Sequence, residues 1–312
     1  MASSKKHHWW PVGLQSYWAD HKGVVKSIDP DGIVGCKKFH NRQIAKKRHG
    51  HTMRLKQGVW EMNFEPEFEI DGKVHSIVKK AFDLPAPGNH ISDWPRTIRS
   101  VFNGEMMSEA ACNYYTLDET SHRDLLLLMI SLLTRSPACR WRLENIPKSY
   151  GLPANEDIGK LNMYHRFLQA KALCNNGLLS LQYFVALHAK TKNFIFGDGF
   201  LDSVIPGLLS GSITGRAYVP LTPNLCIYFS TANRGRPQPN FASLSAPNWV
   251  IDRINQTTQA YSRDTLFFKG RKPKLSETFT RREYLQLKFH SDSLTSRLDA
   301  LAGNPSGGGN QA

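Results

Sequence analysis

The sequence predicts an α+β fold, with strands and hairpins at the N-terminus, helices in the centre and a strand–helix section at the C-terminus. Three observations carry this prediction. Hairpin signals gather before residue 84, apolar residues recur at helical spacing between 120 and 189, and strands and helices are grouped rather than alternating. Apolar residues form 40% of the 312 and aromatics 11%, enough for a large core. That excludes a disordered polymer and a disulfide miniprotein.

Residues 7–20 form an aromatic opening segment with Trp9, Trp10, Tyr17 and Trp18. Val24 to Ile28 and Ile33 to Phe39 read as strands joined by the turn Asp29-Pro30-Asp31-Gly32. A basic stretch follows, with Lys37, Lys38, Arg42, Lys46, Lys47, Arg48, Arg54 and Lys56, and no acid between Asp31 and Glu61. Alternation from Glu61 to Lys80 around Asp71-Gly72 predicts a second hairpin. The Pro-rich 84–95 segment is a loop or sub-boundary, and Pro95 opens a helix through Ile98, Val101 and Phe102.

Thr120 or Ser121 is placed to cap an apolar helix that ends at Arg135-Ser136, since Pro137 disfavours helix in the residue before it. Helical spacing resumes at Glu156 and runs to about Ala189, with a break at Asn175-Asn176-Gly177 that makes two helices. A short strand at 194–196 leads into the turn Gly197-Asp198-Gly199, and Pro220-Leu221-Thr222-Pro223 leads into a strand at 225–229. Val250 to Tyr261 is a helix, and 303–312 has nothing to bury and is expected to be disordered. Residues 1–302 are read as one large domain.

Several of these pieces, in this order, resemble an uncharacterised bacterial family of about this length that is classed only as a domain of unknown function. The resemblance lies in Lys6-His7-His8-Trp9-Trp10-Pro11, then Leu14, Tyr17 and Trp18, the Leu-rich helix ending in Arg135-Ser136-Pro137, Pro220-Leu221-Thr222-Pro223, and the helix with internal Asn255. Of the family's Ser-Asp-x-Pro turn this chain keeps only Asp198. The resemblance identifies positions and implies no reaction.

Lys and Arg number 40 against 26 Asp and Glu, a net charge of +14 that suits nucleic acid or another polyanion. Cysteines 36, 112, 139, 174 and 226 include no Cys-x-x-Cys pair, which argues for reduced thiols and excludes a zinc ribbon. Lys5 and Lys6 are not followed by an apolar run, and Leu125 to Leu133 is too short to span a bilayer. The expectation is a soluble, cytoplasmic protein without a membrane partner. P-loop, dinucleotide, nucleophile-elbow and His-Glu-x-x-His motifs are all absent.

Histidines 7, 8, 21, 40, 49 and 51 crowd the N-terminal region. His49 and His51 share a face in an extended segment and suit a divalent metal, which gives a ligand set of His8, His49, His51 and Asp198, with Asp20 and Asp93 as other candidate acids. His7, His8, His49 and Asp198 form the candidate catalytic set. His7-His8, His40-Asn41 and His49 also follow the residue order of ββα-metal nucleases, although the gap from His8 to Asn41 is long for that motif. Lys46, Lys47, Arg48, Arg54 and Arg135 are the candidate nucleic-acid contacts, with Trp9, Trp10, Tyr17 and Trp18 as stacking surfaces. A second basic region holds Lys269, Arg271, Lys272, Lys274, Arg281 and Arg282. The same residues equally suit a solvated basic face with buried aromatics, and helix-end polarity alone accounts for Arg135. The two functional expectations are therefore a metal-dependent phosphodiesterase acting on nucleic acid and a non-enzymatic protein docking an anionic partner.

Overall fold

A computed structural model describes residues 6–39, 44–48, 50–55, 60–87, 112–175, 182–208, 211–231, 238–284 and 293–303. The expected helix at 95–102, the tail 304–312, His40, Asn41, Arg42, His49 and Lys56 lie outside the described residues, as do the side chains of Arg48 and Arg54. The α+β expectation holds, with strands at the N-terminus, helices in the centre and strands with helices at the C-terminus.

β1 (Lys6–His8) is followed by α1 (Val12–Trp18). β2 (Val24–Ile28) and β3 (Val34–Lys38) form the expected hairpin, closed by Asp29 Oδ1 accepting from Ile33 N–H at 2.8 Å. Gly32 takes φ +80°, which the turn requires and a side chain resists. β4 (Lys46–Arg48) returns to pair with β1, and β5 (Thr52–Leu55) pairs with β6 (Trp60–Asn63).

The second hairpin therefore lies at 52–63, not around Asp71-Gly72. A 3₁₀ segment, Glu65–Lys73, runs into α2 (Val74–Phe82) instead. Val74, Ile77, Val78 and Ala81 are buried at i, i+3, i+4 and i+7, a helical stripe that the local alternation masked.

β7 (Cys112–Tyr115) precedes α3 (Glu119–Arg135), whose cap is Asp118, two residues before the expected Thr120, accepting from Ser121 N–H at 2.9 Å. Ser136 ends α3 and caps α4 (Pro137–Glu144). A 3₁₀ turn at Ile146–Tyr150 leads to α5 (Glu156–Asn175). The second helix expected after residue 177 is instead the strand β8 (Tyr183–His188).

β9 (Phe196–Gly197), α6 (Val204–Gly207), β10 (Arg216–Thr222), β11 (Leu225–Ser230), β12 (Phe241–Ser245), α7 (Asn248–Tyr261), β13 (Leu266–Phe268), α8 (Glu277–Thr280) and α9 (Ser293–Gly303) complete the order. A five-stranded sheet runs β10-β11-β8-β12-β7, antiparallel except between β8 and β12. Every residue of β8 and β11 is buried, so neither strand shows the polar alternation of a half-exposed sheet. A four-stranded sheet runs β3-β2-β13-β9. The main apolar core runs from Trp10 to Leu301 and includes both Trp10 and Trp18, and a smaller cluster gathers Ile28, Ile195, Leu266, Phe268 and Phe279. No helix among the described residues is long and apolar enough to cross a membrane.

Candidate functional site

Strand pairing brings three donors together. In the β1–β4 ladder His7 faces Lys47. In β5–β6, Thr52 faces Asn63, so the chain just before β5 lies beside the chain just after β6, and Phe64 N–H donates to the His51 carbonyl at 3.0 Å. Glu65, the first residue of the 3₁₀ segment, thereby meets His51, whose Nδ1 hydrogen-bonds its carboxylate. Gly50 sits buried between His7 and Lys47, where a Cβ would lie 3.5 Å from His7 Cβ.

The ligand atoms of His7, His51 and Glu65 all lie within 4.8 Å of one another, so this group could hold a metal ion. The two imidazoles stack with centroids 5.3 Å apart and planes 3° from parallel. Phe64 and Phe68 pack on His51, and burial there pushes its pKa down to about 4 despite the adjacent carboxylate. His51 is thus neutral, and its Nδ1–H donates to Glu65. Burial raises the Glu65 carboxyl, but the His51 hydrogen bond and the positive charge of Arg135 outweigh it and leave the group below its ordinary value. His7 Nδ1 accepts from His51 N–H at 2.8 Å, and its Nε2 is buried with no protein partner.

The two histidines of the group line a cavity of about 360 Å³, and Glu65 lies behind them, outside its lining. His7, His51, Lys46, Lys47, Trp9 and Asp198 line it, together with a second wall from Trp141, Arg263 and their neighbours. His7 and Asp198, 191 residues apart in the chain, therefore share one cleft. His8 points elsewhere, as alternation along β1 dictates, and is not among the lining residues.

Asp198 is fully enclosed. Its oxygens accept from Arg263 N–H at 2.7 Å and Asp264 N–H at 2.9 Å, and its carbonyl accepts from Ala138 N–H at 3.0 Å. Burial pushes its carboxyl up to about 7, against those two donors. Asp198 is outside the His7–His51–Glu65 group and ties the end of β9 to the 263–264 loop and the start of α4.

Arg135 also lines the cleft, but its guanidinium is committed: it donates to both oxygens of Asp71 at 2.8 and 2.6 Å and lies 4.4 Å above Phe68. Arg140 is committed likewise, to Glu144, Glu156 and the Gly50 carbonyl. Lys47 is half-exposed, 3.8 Å from Glu144, and burial followed by repulsion from Arg140 lowers its pKa. Of the second basic region, Lys269 and Lys272 hold backbone carbonyls, while Arg281 and Arg282 pair with Glu277 and Asp31.

Trp10 and Trp18 are core residues: Trp10 stacks on Phe196 at 4.4 Å. Trp9 alone of the opening tryptophans reaches the cleft. Sequence reasoning did not single out Glu65, Trp141 or Arg263. Glu65 meets His51 only through the β5–β6 pairing, and nothing local pointed to Trp141 or Arg263. No family model, no curated protein and no solved structure matches this chain.

Proposed function

We propose that the cleft hydrolyses phosphate esters of nucleic acid with a divalent cation held by His7, His51 and Glu65. The observation that carries this reading is the convergence of two buried imidazoles with the Glu65 carboxylate, the imidazoles lining a cavity bordered by Lys46, Lys47 and Arg263. Two nitrogens and one oxygen match a three-ligand catalytic zinc site, which keeps a fourth position open. A cation held there would supply Lewis-acid polarisation of a phosphoryl oxygen and a lowered pKa for a bound water. The chain's own part is to keep His51 neutral, to orient it through Glu65, and to draw the anionic substrate in through its lysines. Water oxygen bonds to phosphorus, one P–O ester bond breaks, and the leaving oxygen takes a proton while a second is released.

The test is metal content of the purified protein together with cleavage of single- and double-stranded DNA and RNA, with and without EDTA. Bound metal, chelator-sensitive cleavage, and loss of both in His51→Ala and Glu65→Gln are expected. Absence of both metal and cleavage removes the reading.

One observation favours a second reading, a cation-free anion-binding protein. A histidine whose Nδ1 accepts an amide hydrogen keeps its own hydrogen on Nε2 when neutral, and there it donates to an anion rather than ligating a metal. Under that reading EDTA leaves ligand affinity unchanged.

A further inference from the structure

We infer that the cleft takes a single nucleotide unit, its phosphate against Lys47 and Arg263 and its base against the wall formed by Trp141 and Trp9. This rests on the phosphate-ester reading of the cleft and applies to either of its two forms.

Arg263 is set apart from the other arginines around the cavity. Arg135 and Arg140 each pair with a carboxylate, whereas the Arg263 guanidinium meets none within ion-pair distance among the described residues. It lies 4.8 Å above the Trp141 ring instead, half-buried at the cavity wall. Its backbone is fixed, because Asp198 accepts from both Arg263 N–H and Asp264 N–H. Trp141 is braced as well, by Tyr284 edge-on at 5.3 Å and 84°, yet it remains 37% exposed. Trp9, which also lines the cavity, is backed by Phe196 at 6.2 Å and only half-buried.

A planar cation on an indole is a preorganised seat for a ligand that has both a negative charge and a π-face. Phosphate alone uses only the charge. A nucleotide uses both, and each base stacked on an aromatic side chain adds substantially to affinity whatever its identity. In a duplex the base faces are already stacked on each other, so the ligand is unpaired. The volume of about 360 Å³ sits at the small end of the range for small-molecule sites and fits one unit rather than several. His7 Nε2, buried and without a partner, supplies a further polar atom on this surface.

The experiment is isothermal titration of the full chain, in EDTA, with AMP, adenosine, inorganic phosphate, a single-stranded deoxyadenosine hexamer and a blunt duplex. AMP is expected to bind at least about tenfold more tightly than adenosine or phosphate. Arg263→Ala and Trp141→Leu should each weaken AMP by about tenfold, Trp141→Phe should retain most of the affinity, and Trp141→Leu should leave phosphate unchanged. Thermal melts identify any variant that fails to fold, and the ligand comparison on the wild type stands without the variants.

A hexamer tighter than AMP assigns the unit to a strand end, and AMP as tight as the hexamer assigns it to free nucleotide. AMP no tighter than phosphate, or duplex as tight as hexamer, overturns the inference. AMP binding without cleavage of any substrate sinks the hydrolysis reading alone, and cleavage without a base contribution sinks this inference alone.

Discussion

His51 is a basic side chain kept uncharged by its surroundings, and that has a consequence for stability. In the unfolded chain it takes a proton near pH 6.5, whereas in the fold it does so at about 4. Between those values the unfolded state binds the extra proton, so stability falls as pH falls through the window, by about 3 kcal/mol for this residue over its full width. Buried His188, also held down to about 4 by burial and then Lys190, adds a loss of the same sign. Urea unfolding at pH 7, 5.5 and 4.5 should show this decline, and His51→Gln should flatten it. A stability difference between wild type and His51→Gln that stays constant from pH 7 to 4.5 refutes the neutral, buried imidazole. Asp198 works in the opposite sense: with its folded pKa raised to about 7, the fold holds a proton that the unfolded chain has lost above about 4, so its contribution is present in acid and disappears as pH rises to 7.

The ends of elements hold the cleft in shape. At the C-terminus of α3, Arg135 is buried and clamps Asp71 across the 3₁₀ segment that carries Glu65. Breaking a buried pair from one side leaves the other charge unpaired, at a typical cost of about 3–5 kcal/mol. Arg135→Met should therefore destabilise by about that much, and adding Asp71→Leu should recover most of it, as read by urea unfolding. An Arg135→Met variant as stable as wild type would show that the pair contributes nothing. Gly199 makes a second such point: a Cβ there would lie 1.9 Å from the Tyr261 carbonyl oxygen at the end of α7. Gly199→Ala should cost about 3 kcal/mol or more, the upper end of overpacking penalties, with thermal denaturation as the readout.

Which elements were legible in the sequence follows from whether their signal is local. The β2–β3 hairpin announces itself in four turn residues, and α3 in its apolar run and Pro137. β8 does not, because a strand buried on both faces loses its alternation and reads like a continued helix. The site divides in the same way. His7, His51, Lys46, Lys47 and Asp198 stood out by residue type and clustering. Arg263 and Trp141 acquire meaning only when the 263–264 loop is bonded to Asp198 beside α4, a contact spanning more than 60 residues. Neighbouring Trp9 and Trp10 look alike in sequence, and only packing separates the cleft wall from the core.

At the scale of the whole chain, the N-terminus belongs to the core. Trp10, Leu14 and Trp18 are all buried, and each contributes roughly 2–3 kcal/mol of burial. Removing residues 1–20 also strips β4 of its partner, so the truncated protein should lose its cooperative thermal transition, and an unchanged melting temperature would show the segment to be dispensable.

The net charge of +14 is a poorer guide to binding, because Arg135, Arg140, Arg142, Arg281 and Arg282 are engaged with carboxylates. Under the proposed function, affinity for a single strand should follow the few cations at the cleft rather than the total. Each phosphate contact steepens the fall of log affinity with log salt by about 0.7. Because Lys47 and Arg263 face one phosphate, replacing both by Ala should flatten the slope by about 0.7, while replacing exposed Lys37 and Lys38 on β3, which carry the same charge away from the cleft, should leave it nearly unchanged. Salt titration of a labelled hexamer against the two double variants decides between a local site and a diffuse field. If the β3 pair flattens the slope as much as the cleft pair, the basic face as a whole is what binds, and the cleft has no privileged part in it.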